Sequence, residues 1–227
     1  MNLNRRTIVI FVSILLILFY GFSREVKKGK FKNIDFAVTV KIQDRMPSSE
    51  SGRIDEFWED IGFFASPMVS SIFVMALTVW SFIKARGFKR KIAVLLIPLA
   101  FGLLTLAEVY GKSVVHHPAP PFFMLKNPTT IFPKYYVNEQ YSYPSGHAGR
   151  AVFVAILASS VMLHASSKNK RKKQIIILVA LAYVVLVSLG KIYLGQHWFS
   201  DVVGGFFIGT AVGIPIFGLL YEFKFNY

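Results

Sequence analysis

Long apolar segments separated by short basic runs constrain this chain more than any other feature. The apolar segments span residues 7–20 and about 61–83, 92–109, 148–163, 175–194 and 202–220. Most approach the roughly 20 apolar residues that a helix needs to cross a bilayer. Hydrophobic residues make up 54% of the chain, which argues against a water-soluble core. We therefore predict an all-α fold, a polytopic membrane protein with a six-transmembrane-helix bundle.

The first apolar segment follows Arg5 and Arg6 and has no small-residue cleavage site after it. A secretory signal peptide is the competing interpretation, and an uncleaved anchor is favoured. Residues 1–30 are predicted to form this anchor and its flank. Residues 31–222 would then be the main membrane domain, and residues 223–227 a cytoplasmic tail.

Three local patterns refine this arrangement. The spacing of Ile34, Val38 and Ile42 predicts a short amphipathic helix lying at the membrane interface. Pro67 falls inside the second apolar segment, where a membrane helix tolerates a kink. Residues 112–143 are rich in proline and aromatics, so we expect them outside the hydrocarbon or enclosed by protein.

The basic residues predict an orientation. The formal net charge is +14, but lysine and arginine gather in short runs, which favours cytoplasmic loops and anionic headgroups over nucleic acid. The amino terminus, residues 84–91 and residues 168–173 alternate correctly with six spans, so these and both termini are predicted to be cytoplasmic. Residues 112–147 and 191–201 would then share the extracytoplasmic face. The chain has no cysteine, which excludes disulfides and thiolate chemistry.

Residues 191–201 place a cation, a histidine and a carboxylate at fixed intervals before the last apolar segment. If the chain is helical from His197 onward, His197 and Asp201 lie four residues apart on one face. The carboxylate would fix the imidazole tautomer and favour its cationic form. Lys191 would add a positive charge where an anion approaches. The alternative is a His/Asp pair whose members merely satisfy each other.

A second histidine stands directly before the fourth apolar segment, in Pro144-Ser145-Gly146-His147. Proline and glycine permit a tight turn into a helix, and Gly146 allows close approach of the backbone to a ligand. The free N–H groups of a helix start, with the Ser145 hydroxyl beside them, form a natural anion site. The plainer interpretation is a helix entry without further function.

Taken together, these motifs resemble the signature of the type 2 phosphatidic acid phosphatase family, also called lipid phosphate phosphatases. That signature runs Lys-x6-Arg-Pro, then Pro-Ser-Gly-His, then Ser-Arg-x5-His-x3-Asp. The chain carries, in the same order, Lys112 with Pro118 and Pro120, then Pro144-Ser145-Gly146-His147, then Lys191 with His197 and Asp201. The resemblance extends from about Asp35 to the sixth span.

Two positions depart from the family pattern. Ala119 occupies the position of the first arginine, and Gly190 with Lys191 stands where the family has Ser-Arg. Lysine keeps the charge but loses the bidentate fork that suits phosphate oxygens. The candidates for a replacement donor are His116, His117, Lys126 and Arg150.

The resemblance implies a mechanism. His197 would attack phosphorus and form a phosphohistidine, Asp201 would orient the ring, and His147 would protonate the leaving oxygen and later activate water. The phosphoryl oxygens would be bound by Lys112, Lys191, Ser145 and Gly146, with His117 and Arg150 as possible auxiliary residues. Neither a metal nor another cofactor is expected.

Three functions follow from these observations. The first is an integral membrane lipid phosphatase, with a lipid phosphate substrate, membrane lipids as surroundings and no nucleic-acid partner. The second is a lipid-to-lipid phosphotransferase of the same fold, since a hydroxyl other than water can intercept a phosphohistidine. The third is a non-catalytic lipid-binding or transport relative. The identity of the lipid and the oligomeric state are left open by the sequence.

Overall fold

The computed structural model describes residues 4–46, 52–126, 140–165 and 169–222. Within these ranges the chain forms helices and short connections, with no strand and one isolated bridge between Pro118 and Tyr141. The α-helices of the described ranges are α1 (Arg5–Lys27), α2 (Lys32–Arg45), α3 (Arg53–Phe63), α4 (Pro67–Lys84), α5 (Phe88–Val94), α6 (Leu96–Val115), α7 (Gly146–Ala165), α8 (Lys170–Tyr193) and α9 (Phe199–Glu222).

Six helical stretches in the described part of the chain are long and apolar enough to cross a membrane. They are Arg5–Lys27, Arg53–Lys84, Phe88–Val115, Gly146–Leu163, Lys170–Tyr193 and Phe199–Leu220. The predicted all-α bundle with six spans is therefore confirmed. Some residues used in the sequence predictions lie outside the described ranges, namely residues 132–136, Lys168 and the tail 223–227.

The second span is two helices, where the sequence predicted one kinked helix. α3 ends at Phe63 and α4 begins at Pro67, and the Ser66 hydroxyl accepts a hydrogen bond from Val69 N at 3.4 Å. Because proline lacks an N–H and has a preset φ, it suits the first turn of a helix. Pro67 therefore starts α4, and the break leaves the Ala65 carbonyl free for the site described below.

The third span extends further than predicted. α6 continues to Val115, so Lys112 lies in its last turn and not in the irregular segment that follows. His116 ends the helix in the left-handed conformation, with φ of 54°. Helical geometry places Lys112 one turn after Glu108, and the two side chains form an ion pair.

The helix predicted between the first two spans is present as α2, but its buried face differs in part from the prediction. Val38 and Ile42 are partly buried against the core, as the spacing suggested, whereas Ile34 is 48% exposed and Asp35 and Thr39 are buried. The reason is that Asp35 packs on the first turn of α9, where it accepts two hydrogen bonds from Ser200. A buried carboxylate needs such partners, and here they set the rotation of the helix.

The centre of the bundle is the pair α7 and α9, which pack closely along their length. At Gly209 an added Cβ would lie 2.5 Å from the Gly149 carbonyl oxygen, so only glycine permits this separation. Ser145 N donates to Asp201 O at 2.9 Å, which ties the two helix starts together. The starts of α7 and α9 therefore meet the ends of α6 and α8 at one end of the bundle.

Candidate active site

His197 is held by the short connection between α8 and α9. Gly195 adopts a φ of 67°, a conformation that favours glycine, and an added Cβ would collide with the Met124 carbonyl. His197 N donates to Lys191 O at 3.1 Å, and the Trp198 indole donates to Pro118 O at 2.8 Å. These bonds fix the connection on both sides of the histidine.

The two predicted catalytic histidines face each other. The ring centroids of His147 and His197 are 6.2 Å apart, with an angle of 60° between the rings. His197 is buried, while His147 is partly exposed at the start of α7. A small group placed between the two rings would therefore contact both.

Asp201 lies beside His197, as the spacing predicted, but the geometry differs. α9 begins at Phe199, so His197 precedes the helix and does not share a helical face with Asp201. Asp201 Oδ2 accepts from Trp198 N at 2.8 Å and is 3.5 Å from His197 Nδ1. That separation is at the limit of a hydrogen bond, and apo sites often show such long catalytic contacts.

Burial lowers the pKa of His197 below its ordinary value of 6.5, and the nearby ammonium groups of Lys112 and Lys191 add to this effect. Asp201 acts in the opposite direction, because its carboxylate favours the imidazolium form. The net result is a ring that is neutral at neutral pH, which is the form that can act as a nucleophile.

His117 lies behind Asp201. Its Nδ1 is 2.9 Å from Asp201 Oδ1, and its Nε2 is 3.8 Å from Asp35 Oδ2. Both ring nitrogens are thus directed at carboxylates, so this position does not suit the auxiliary phosphate contact that the sequence suggested. Asp35 in turn accepts from Ser200 N and Ser200 Oγ, each at 2.8 Å, and burial raises the pKa of Asp35.

Glu108 links the cations on the opposite wall. Its Oε1 is 3.2 Å from Lys112 Nζ, and its Oε2 accepts from Arg150 Nη1 at 2.6 Å. Arg150 also donates through Nε to Ala65 O at 2.9 Å. The Glu108 carboxylate packs against the Cα of Gly146, at the start of α7. An internal carboxylate therefore lies where the sequence predicted an anion site.

Lys191 reaches the same pocket from the last turn of α8. Its Nζ donates to Gln196 Oε1 at 2.7 Å and lies over Gly62 of α3, where a Cβ would be 2.6 Å away. The side chain is 6% exposed and is within electrostatic range of both His147 and His197. The ammonium is consequently held in the wall of the site.

Ser145 and Gly146 form the turn into α7. The Ser145 hydroxyl accepts from Ala148 N at 3.4 Å, so it caps the helix, and the residue is fully buried. Nearby, the peptide bond between Tyr143 and Pro144 is cis. The turn predicted to bind an anion is thus a capped helix start, and the Glu108 carboxylate packs directly against its Gly146.

Two residues of this cluster were missed by sequence reasoning. Glu108 is a carboxylate within an apolar span, and such residues are expensive and often functional. Its spacing of four from Lys112 was a second available signal. Asp35 gave a weaker signal, since a single acid on a charged helix does not reveal its distant partners.

An apolar groove lies next to this site between α4, α7 and α8. Its volume is about 400 Å³, and its lining includes Phe64, Val154, Ala158, Val179 and Tyr183. The Tyr183 hydroxyl donates to the Phe64 carbonyl at 3.2 Å, and the next carbonyl, that of Ala65, contacts Arg150. One end of the groove therefore adjoins the cationic wall of the pocket.

The fold and these residues define a class: a polytopic membrane protein with a two-histidine, carboxylate-supported site surrounded by cations. A sequence model described as the PAP2 superfamily matches residues 93–225, more than half of the chain. The chain belongs to the PAP2 superfamily. The family resemblance predicted from the motifs is thereby confirmed.

Two curated relatives are similar in sequence. Phosphatidylglycerophosphatase B of Bacillus subtilis is 31% identical over 119 residues, which are 52% of this chain and 53% of that protein. Undecaprenyl-diphosphatase of Sulfolobus acidocaldarius is 32% identical over 124 residues, which are 54% of this chain and 52% of that protein. The matches thus span about half the length of these relatives.

Among solved structures, the fold is similar to the crystal structure of a transmembrane PAP2-type phosphatidylglycerolphosphate phosphatase from Bacillus subtilis. The TM-score is 0.71 and the sequence identity 19%, with 90% of this chain and 93% of the other covered. At that identity the likeness concerns the fold alone. It supports the assignment as a multi-pass membrane protein.

Proposed function

We propose that this protein is a lipid phosphatase that removes a terminal phosphate from a lipid mono- or diphosphate through a phosphohistidine intermediate. The observation that carries the proposal is the convergence of His147, His197 and Asp201 in one pocket lined by cations. Phosphoryl transfer requires positioning and charge stabilisation above all, and this set of residues suits both needs.

In the first step, Nε2 of His197 attacks phosphorus while the bond from phosphorus to the leaving oxygen breaks. His147 donates a proton to that oxygen, so the lipid leaves as an alcohol or a monophosphate. Asp201 stabilises the positive charge that develops on His197. The two rings lie 6.2 Å apart at an angle of 60°, and a phosphorus atom between them would have His197 on one side for attack and His147 on the other for departure.

In the second step, His147 takes a proton from water as the water oxygen attacks the phosphohistidine. The phosphorus–nitrogen bond breaks, inorganic phosphate forms and His197 returns to its neutral state. Lys112, Lys191 and Arg150 bind the phosphoryl oxygens together with the N–H group of Gly146. Arg150 takes the part of the guanidinium that Ala119 cannot supply.

The substrate is proposed to be a lipid because the groove is apolar and its residue Phe64 directly precedes Ala65, whose carbonyl accepts from Arg150. The curated relatives carry names of enzymes that act on phosphorylated lipids. Replacing Ala158 by Phe would partly fill this groove. We expect the variant to raise KM for a long-chain lipid phosphate and to leave KM for a short-chain, water-soluble phosphate unchanged.

We further propose that the site faces the extracytoplasmic side. Basic residues begin α1 and α8 and end α4, at the end of the bundle away from the histidines. Some of the positive charge on the site's own side is neutralised within pairs, such as Glu25 with Lys28 at 2.7 Å. Because the chain has no cysteine, single replacements Ser113→Cys and Lys170→Cys can be labelled in intact cells. A membrane-impermeant maleimide should label only the first.

The principal test is phosphate release by the purified protein from phosphatidic acid, phosphatidylglycerophosphate, undecaprenyl diphosphate and a lipid A phosphate. His197→Ala should abolish release, whereas His116→Asn should not. His116 is exposed and left-handed, a conformation that asparagine tolerates. Undiminished release by His197→Ala would defeat the mechanism, and no release by the wild type from any lipid would favour a binding or transport protein.

Two additional measurements define the chemistry. Rapid acid-free quenching with ³²P-labelled lipid should trap a phosphoenzyme in the wild type and none in His197→Ala. Chelators should leave activity intact, since the proposed mechanism takes its nucleophile from His197 and its charge stabilisation from fixed cations. Label that appears in an added acceptor lipid would indicate a phosphotransferase.

A further inference from the structure

A chain of buried polar side chains runs behind the proposed nucleophile, and the mechanism above uses only its first member, Asp201. It begins at Asp201, passes through His117 to Asp35 and ends at Ser200. Asp35, His117 and Asp201 are each 5% exposed or less. Three separate parts of the molecule supply these residues, namely α2, the segment after α6 and the first turn of α9.

We infer that His117, held by Asp35, is a positioning residue for Asp201 in phosphoryl transfer. The inference rests on the proposed function, because it assigns His117 a role in supporting the nucleophile. His117 Nδ1 lies 2.9 Å from Asp201 Oδ1, which is closer than His197 Nδ1 lies to Oδ2, at 3.5 Å. His117 therefore sets where the Asp201 carboxylate stands relative to the ring that it must orient.

The geometry assigns distinct tasks to the two Asp201 oxygens. Oδ2 accepts from Trp198 N at 2.8 Å and faces His197, while Oδ1 faces His117. With one oxygen held by a rigid backbone N–H and the other by His117, the carboxylate plane cannot rotate away from His197. Removing His117 leaves Oδ1 without a partner in a buried site, and the carboxylate is then free to turn.

Asp35 fixes His117 from the other side. Its Oδ2 is 3.8 Å from His117 Nε2, and both of its oxygens accept hydrogen bonds from Ser200. Asp35 therefore connects the orientation of His117 to the start of α9, the helix that also carries Asp201. His117 and the Asp35 carboxylate thus form one continuous arrangement with Asp201, so removal of His117 or of the Asp35 charge reaches the Asp201 carboxylate.

The first test compares His117→Phe with His117→Asn. Phenylalanine fills the volume and removes both nitrogens, whereas the asparagine amide keeps a donor near the position of Nδ1. We expect His117→Phe to lower kcat about 10- to 100-fold, the usual cost of losing a hydrogen bond to a charged group, with KM changed less than threefold. His117→Asn should recover most of the lost kcat.

The second readout is the protonation of His197, followed by ¹⁵N-histidine NMR without turnover and assigned with His197→Gln. In His117→Phe the Asp201 carboxylate is free to turn away from His197, so it favours the His197 cation less and the His197 titration should move to lower pH. The other charged or titratable groups facing His197 are unchanged in this variant; they are His147 of α7, Lys112 and Glu108 of α6 and Lys191 of α8.

Ser200→Ala is the matched control for a purely structural role. It removes the hydroxyl bond to Asp35 but keeps the backbone bond and leaves His117 in place. We expect lower thermal stability with unchanged kcat and an unchanged His197 titration. Asp35→Asn keeps one acceptor oxygen for Ser200 N, and its NH2 group can donate to Ser200 Oγ, but it loses the charge facing His117. It should shift kcat and the titration in the direction seen for His117→Phe, by a smaller amount.

Three outcomes would overturn the inference. The first is a kcat and a His197 titration in His117→Phe that match those of the wild type. The second is an equal loss of kcat in Ser200→Ala, which would mean that the cluster only anchors the start of α9. The third is a rise in KM with kcat unchanged, which would indicate that His117 binds the phosphate of the substrate. If the wild type releases no phosphate, the proposed function fails, while the NMR titration still decides the contact between His117 and Asp201.

Discussion

Glu108 holds the position that a substrate phosphoryl group would need, so its replacement offers a sharp test of the site. The carboxylate contacts Lys112 at 3.2 Å and Arg150 at 2.6 Å, and it packs on Gly146 at the start of α7. A phosphate that binds these groups must first displace Glu108. The carboxylate is thus predicted to compete with phosphate, and to speed its release once hydrolysis is complete.

Glu108→Gln should therefore strengthen the binding of inorganic phosphate. The amide keeps only one acceptor oxygen, so one of the two cations loses its partner, and the other cation faces a neutral oxygen where it had a carboxylate. Each charged contact exceeds a neutral one by about 1 kcal/mol, so the two together amount to about 2 kcal/mol, or roughly thirtyfold in affinity. The side chain is only 12% exposed, which limits screening by solvent.

The assay is inhibition of lipid phosphate hydrolysis by inorganic phosphate and by orthovanadate. We expect both inhibition constants to fall about ten- to a hundredfold in Glu108→Gln. Glu25→Gln is the matched control, because Glu25 pairs with Lys28 and Lys30 at the exposed end of α1. Inhibition constants that rise in Glu108→Gln would refute the reasoning, since Glu108 would then organise the cations for the substrate and not oppose it.

Three further predictions concern the same pocket. His197 must be neutral to attack, and burial lowers its pKa below 6.5, the ordinary value for histidine, so activity should be lost only below that pH. Asp201→Asn removes the group that favours the His197 cation, so the acid limb of its residual kcat/KM profile should move to a still lower pH. Gly62→Ala places a methyl group 2.6 Å from Lys191 Nζ, so the ammonium must move, and we expect KM for lipid phosphate to rise about tenfold with little change in kcat. Arg150→Lys keeps the charge but loses the fork that spans Ala65 O and Glu108, and KM should again rise about tenfold or more, as measured by initial rates.

The sequence predicted the parts of this protein that depend on local pattern. Apolar length gave the six spans, and the motif around His147 and that around His197 were correctly expected at one end of the bundle. The lengths of the apolar segments are a local feature of the sequence. The number of spans between the two motifs then places both motifs at the same end of the bundle. Helix boundaries were less accurate, as at Lys112, because the last turn of α6 is stabilised by its ion pair with Glu108.

Contacts between distant residues could not be predicted in this way. Asp35 and Ser200 are 165 positions apart, and the apolar spacing on α2 favoured a different buried face. For His117, the sequence offered a phosphate donor, whereas the fold turns its ring towards two carboxylates. The partners of the His117 ring depend on which helix ends meet in the fold, and the pattern of a single sequence does not reveal those contacts.

The break between α3 and α4 explains how the chain can lack the family's first arginine. Pro67 starts α4, and the connection before it leaves the Ala65 carbonyl without a helical partner. Arg150 Nε donates to that carbonyl, which directs the other nitrogens of the guanidinium towards Glu108 and the pocket. In the proposed mechanism this guanidinium, carried by α7 three residues after His147, supplies the charge that is absent at Ala119. Because this guanidinium is anchored by a backbone carbonyl, its position depends on the helix break as much as on the arginine itself.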